Sequence, residues 1–196
     1  MAVSTIHVLR QGPMLKMLGE TALKALSQSQ RPSPRSDKSA ASLIGVEARR
    51  SFEPLNGELL DAFVAHLGGD PRAYRTTVPP HFFPHWAMPV AAKTMAKLPY
   101  PLTRTVNGGC RLQINAALPR NEALDVHAKL VDIYDDGRRA VITTRVTTST
   151  KSAPDALIAD IYGVVPLRSS KSEPGEKKER KEKTRVPTGA REVASC

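Results

Sequence analysis

Residues 86–98 read WAMPVAAKTMAKL. Drawn as a helix, this stretch carries small or apolar side chains around nearly its whole circumference. Only Lys93, Thr94 and Lys97 are polar. A helix apolar on most sides is buried on most sides, so the segment reads as the centre of a domain. Pro89 is acceptable only near a first turn, and Pro99 and Pro101 stop the helix.

Beyond that stop the chain reads as strands. Thr103–Val106 and Arg111–Leu118 are separated by Asn107-Gly108-Gly109, and Pro119 to Asn121 makes a turn. Ala123 to Tyr134 alternates, with Leu124, Val126, Ala128, Leu130 and Ile133 as the inward set. Asp135-Asp136-Gly137 is a hairpin signal. Arg139 to Thr150 is rich in β-branched residues, which suits a pleated surface, and Ala156 to Val165 closes the sheet. Strands joined by short turns are antiparallel, so a meander curled around one buried helix is expected.

Upstream, Leu43 to Phe52 looks like a strand entering the domain, and Asn56-Gly57 allows a turn. Glu58 to His66 places Leu59, Leu60, Phe63, Val64 and Leu67 on one helical face, ended by Gly68-Gly69. Asp70 to Pro84 is irregular and rich in proline. Residues 43–167 thus form one α+β domain. Residues 1–42 read as a helix over Thr5 to Leu26 followed by a polar linker, Ser27 to Ser42. Residues 168–196 read as a disordered charged tail.

Composition narrows the function classes. Of 196 residues 40% are hydrophobic, enough for a core, but only 5% are aromatic, so aliphatic side chains must fill it. No run approaches the roughly 20 apolar residues of a membrane span. The N-terminus is broken by Arg10, Gln11 and Lys16 and makes a poor secretory signal, so a cytoplasmic protein with no stable membrane insertion is expected. The two cysteines, Cys110 and Cys196, have no zinc-site spacing, so no metal site is expected, and no cofactor. The net charge of +10 invites a nucleic-acid reading. The tail, however, mixes nine Lys/Arg with five Asp/Glu and has no aromatic residue, which favours a solvated tail and no nucleic-acid partner.

The order and spacing of short motifs resemble the MaoC-like acyl dehydratase domains, in their divergent branch. The matching residues are Pro79-Pro80, Phe83-Pro84-His85, Leu98-Pro99-Tyr100-Pro101-Leu102, Gly109–Ile114, Leu118-Pro119 and Glu122-Ala123-Leu124, within about Leu60 to Pro166. The resemblance implies the hotdog fold, an antiparallel sheet wrapped around a central helix. It implies a substrate that is an acyl thioester of coenzyme A or acyl carrier protein, and a homodimer or other hotdog partner. Active members hydrate or dehydrate the 2,3-bond with an Asp and a His in a D-x(4)-H motif, and a backbone amide at the start of the central helix polarises the thioester carbonyl.

By this resemblance Asp70 stands at the motif's carboxylate, but Arg75 stands where the histidine belongs. A guanidinium cannot act as a base at neutral pH. Asp70 and His85 are therefore the candidate catalytic residues, set against Asp-Pro turn chemistry for the first and a capping or core histidine for the second. Trp86, Ala87, Asn107, Gly108 and Gly109 are the candidate substrate-binding residues. Trp86 also fits a core position, and the Asn-Gly-Gly run also fits a bulge or turn. His127 and Cys110 read as structural. A hydro-lyase and a catalytically inactive thioester-binding or partner half of a double hotdog both follow. A thioesterase is disfavoured, since Trp86 to Leu98 holds no Asp or Glu.

Overall fold

The computed structural model describes residues 40–167. The helix expected over Thr5–Leu26 and the charged tail lie outside the described residues. Ala40, inside the stretch read as linker, is buried in one cluster with Leu98, Leu130 and Ile142.

The elements run β1 (Glu47–Phe52), α1 (Gly57–His66), a 3-10 turn (Pro71–Tyr74), β2 (Thr77–Val78), a second 3-10 turn (Pro80–Phe82) and α2 (Pro84–Met95). A third 3-10 turn (Leu102–Arg104) leads to β3 (Val106–Ile114), β4 (Leu118–Pro119), β5 (Leu124–Asp135), β6 (Arg139–Ser149) and β7 (Leu157–Pro166). The main sheet has the order β1-β5-β6-β7-β3 with every neighbour antiparallel, and β2 pairs β4 separately. Helix α2 packs chiefly on β5, with β1 and β6 beside it. The expected helix-in-sheet arrangement is the one observed.

Alternation sets the inner face. Leu124, Val126, Ala128 and Leu130 of β5 are all buried, as are Ala140, Ile142, Thr144, Val146 and Thr148 of β6. The β5–β6 register shifts between Leu130 and Asp132. That bulge moves the frame by one residue, which is why Ile133 rather than Asp132 continues the inward set. The Asp135–Gly137 hairpin forms as read: Gly137 has φ +76°, and Asp135 Oδ1 accepts its N–H at 2.8 Å.

Helix α1 starts at an N-cap, not a turn: Asn56 Oδ1 accepts the Leu59 N–H at 3.2 Å. It ends in a Schellman closure, with Gly68 (φ +77°) donating to Ala65 O and Gly69 to Val64 O. Leu67, read as a core position, is the C-cap and is 59% exposed, because the chain leaves the helical path there. Arg120 ties this segment down. Its guanidinium donates to Asp61 Oδ1 (2.9 Å), Tyr74 O (3.2 Å) and Gly57 O.

Two expectations need correction. Helix α2 begins at Pro84, because Pro is favoured at N1, so Pro89 lies in the second turn, where it has no N–H to give the His85 carbonyl. Also, Thr103–Val106 and Arg111–Leu118 are not two strands. One strand, β3, runs through Asn107-Gly108-Gly109, and the glycines form a bulge against β7. Gly109 has φ +100°, and Asn107 Oδ1 accepts its N–H at 2.8 Å. A Cβ at Gly108 would meet Val164 Cγ2 at 2.8 Å and Tyr162 O at 3.0 Å.

Gly108→Ala is therefore expected to destabilise the domain by about 1–3 kcal/mol, since the crowding atoms include β7 backbone. Chemical denaturation measures this; Gly108 is not among the glycines of positive φ, so the loss reports crowding alone.

Candidate functional site

The candidate site is built around the start of α2. The chain reaches it through a 3-10 turn whose amides are already used: Phe82 N–H donates to Pro79 O (3.0 Å) and Phe83 N–H to Pro80 O (3.1 Å). Phe83 has helical angles, so α2 begins without an open, flared cap. Pro84 has no N–H. The Trp86 and Ala87 amides both donate to Phe83 O, at 3.2 and 2.9 Å. Neither of these two amides is thus left over to polarise a thioester carbonyl, the role the resemblance gives to an amide at the start of the central helix.

His85 is half-buried, its imidazole stacked on Phe82 with centroids 4.7 Å apart and planes 20° from parallel. Phe82 also meets Phe63 edge-on at 4.6 Å, and Phe63 stacks on the exposed His81 at 5.4 Å. Burial pushes the His85 imidazole below its ordinary value of 6.5, toward the neutral form. Phe82 was missed in the sequence; its i, i+3 spacing from His85 was the available signal.

Trp86 is fully buried, and its Nε1–H donates to Thr148 Oγ1 at 2.9 Å. Ala87 is buried beside it. Both are core residues in this structure. The aromatic ring that does reach the site is Phe82.

Asp70 is exposed at the N-cap of Pro71–Tyr74, where it accepts the Arg72 N–H at 2.9 Å and faces Arg72 Nε at 3.1 Å. The Arg72 amide and then its guanidinium hold the carboxyl below the usual range, with Arg75 adding its charge. This is the turn chemistry set against the catalytic reading. Arg75, at the position of the family's imidazole, follows as the C-cap of the same turn and is exposed.

Asn107, Gly108 and Gly109 lie at the other end of the helix. Trp86, at its start, meets Thr148, which is level with Leu157 and Ile114. Asn107 pairs with Gly163, whose Cβ position lies 3.9 Å from Met95 Sδ at the helix end. From His85 to Met95 the axis rises about 15 Å. The expected substrate-binding loop therefore does not meet His85. The strand residues level with the helix start are Leu112, Gln113 and Ile114.

The open stripe of α2 carries Pro84, His85, Met88 and Ala92, and Met88 is 43% exposed. On the inner face of β3, Ile114 is 55% exposed. His127 lies on the outer face of β5, with Nε2 3.0 Å from Glu47 Oε2. Among the described residues no group of three His, Cys, Asp or Glu could hold a metal ion, and no helix is long and apolar enough to cross a membrane.

No family model and no curated protein matches the chain. Solved structures do match its fold. The C-terminally truncated HadBC (3R-hydroxyacyl-ACP dehydratase) complex from Mycobacterium tuberculosis is 13% identical, with a TM-score of 0.53 over 62% of this chain and 96% of that one. The monoamine oxidase regulatory protein from Archaeoglobus fulgius is 10% identical, with a TM-score of 0.50 over 64% of this chain and 92% of that one. The chain has the hotdog fold these proteins share.

Because His85 is held neutral by burial, protonating it opposes folding. Stability is full above its ordinary value of 6.5 and falls as pH drops below it, until the depressed folded value is passed. Thermal melts at pH 7 and pH 5 should show a larger fall for the parent than for His85→Gln; equal falls would remove the burial account.

Proposed function

We propose that this chain is a hotdog module that binds an acyl thioester without hydrating it, and acts as the non-catalytic half of a paired assembly. One observation carries this: the Asp70 carboxylate is engaged by Arg72, and Arg75 follows where a hydratase needs an imidazole. Hydration requires a base and an acid on one water. A capped carboxylate and a guanidinium cannot divide that work. The amides of Trp86 and Ala87, bonded to Phe83 O, support the same reading, because an oxyanion needs donors that are not already used.

Binding remains within reach of the site. Met88, three residues from the half-buried His85 on α2, and Ile114 on β3 each offer exposed apolar surface. An acyl chain lying along α2 covers Met88. The thioester comes from coenzyme A or an acyl carrier protein. The catalytic pair, in this reading, belongs to a second hotdog that joins at the free edge of β3, one of the two edge strands of the main sheet.

The test is paired. Purified full chain is assayed for hydration of crotonyl-CoA and longer enoyl-CoAs, and titrated calorimetrically with saturated acyl-CoAs. Binding without turnover is expected. Met88→Asp should weaken binding by about tenfold or more, because a carboxylate there no longer shields the acyl chain from water, while Asp70→Ala leaves it unchanged. Turnover abolished by His85→Ala or Asp70→Ala would replace this reading with the hydro-lyase. Absence of both binding and turnover would remove the thioester altogether.

A further inference from the structure

The outer face of the main sheet carries a second cluster of charge. Arg111 of β3, Asp160 of β7 and Arg145 of β6 stand directly opposite one another in register. Cross-strand partners share a face. Their neighbours along β6 and β7, Thr144, Val146, Ala159 and Ile161, are buried, so the three charged side chains point away from α2. Two residues on, Gln113 and Ile158 pair on the same face. These five side chains line an open cavity of about 80 Å³. One water needs roughly 10–15 Å³ of such space, so the cavity has room for several waters or one tetrahedral oxyanion.

The cluster is short of one anion. Arg145 donates Nε–H to Asp160 Oδ1 at 2.7 Å and Nη2–H to Oδ2 at 3.0 Å. Arg111 faces the same carboxylate in register, yet among the described residues its guanidinium makes no hydrogen bond or ion pair. Lys129, opposite Arg145 on β5, adds a further positive charge, and its ammonium goes to Glu47 at 3.5 Å. Two guanidiniums against one carboxylate thus leave one positive charge uncancelled at the cavity. Arginine forks suit oxyanions, which they bind through two parallel N–H groups.

The acceptors in the cavity narrow the choice of oxyanion. An ionised carboxylate has about four acceptor sites, and Arg145 fills two of those on Asp160. Gln113 donates Nε2–H to Asn115 Oδ1 at 2.8 Å and keeps its Oε1 as an acceptor. A ligand here must therefore accept from the arginines and also donate. Sulfate and carboxylate groups only accept, and Asp160 repels them. A phosphate group that carries a P–OH does both. We infer that this cavity binds a phosphate group, free or as a terminal monoester, with its oxygens on Arg111 and Arg145 and its P–OH donating to Asp160. The cavity is open to solvent, which gives an ester oxygen a way out. The site lies on the sheet face opposite α2 and does not rest on the thioester reading.

Calorimetric titration of the full chain tests this with inorganic phosphate, glycerol 3-phosphate and sulfate at matched ionic strength, near pH 6, where a phosphate group still carries a P–OH. The two phosphates are expected to bind alike, and sulfate about tenfold more weakly or worse. Arg111→Gln should weaken phosphate binding about tenfold. Its melting temperature without phosphate should match the parent's, because that guanidinium holds no partner. Asp160→Asn should bring sulfate level with phosphate, since an amide donates where the carboxylate only accepts. That readout is a ratio, so a loss of stability from the broken Arg145 pair does not disturb it. Phosphate binding that is absent, or equal in the parent and Arg111→Gln, would overturn the site. Equal binding of phosphate and sulfate by the parent would overturn the selection by Asp160. A monoester bound far more weakly than inorganic phosphate would overturn the extension to esters.

Discussion

The hydrogen bond from Trp86 Nε1 to Thr148 Oγ1 fixes where everything else sits. It lies at the first turn of α2, at full burial, and joins the helix to the middle strand of the sheet. A second hydroxyl contact, Thr94 to Thr144 at 3.4 Å, lies eight residues on along the helix and four residues back along β6. Eight helical residues rise about 12 Å and four strand residues span about 13 Å, so the two contacts share one spacing. The helix is held against sliding and against rotation. That in turn decides which of its residues form the open stripe and which face the sheet.

Much of this was legible in the sequence because it follows from periodicity. The inward set of β5 and the Asp-Asp-Gly hairpin are period-two signals bounded by turn residues, and both strands form where they were read. The all-round apolar segment at 86–98 announced a buried helix. Its start was misplaced by two residues, since Phe83-Pro84 reads as a loop motif until Pro84 is taken as N1. The Asn-Gly-Gly run was harder. Its glycines signal either a turn between strands or a bulge within one, and only the close pass of Gly108 against Val164 and Tyr162 selects the bulge.

The site was less legible, for a physical reason. Motif order places Asp70 near the right position, but whether a carboxylate is free depends on neighbours two residues away, and Arg72 takes it. Availability of a helix-start amide depends on how the chain enters the helix. Here a 3-10 turn leads in with helical angles, and the Trp86 amide bonds back to Phe83 O. Residue identity alone does not report either fact. The substitution that was visible, Arg75 for histidine, points in the same direction as both.

Arg120 gives the segment before α2 an unusual dependence. Helix α1 and the turn carrying Asp70 meet the rest of the domain partly through one guanidinium that reaches Gly57, Asp61 and Tyr74. Those partners span 18 residues and belong to no strand of the main sheet. Such a flap has its own opening equilibrium, separable from global unfolding. Residues 57–74 can thus exchange their amide hydrogens on a schedule that this side chain sets together with the buried Leu60 and Val64, while the sheet behind them stays closed.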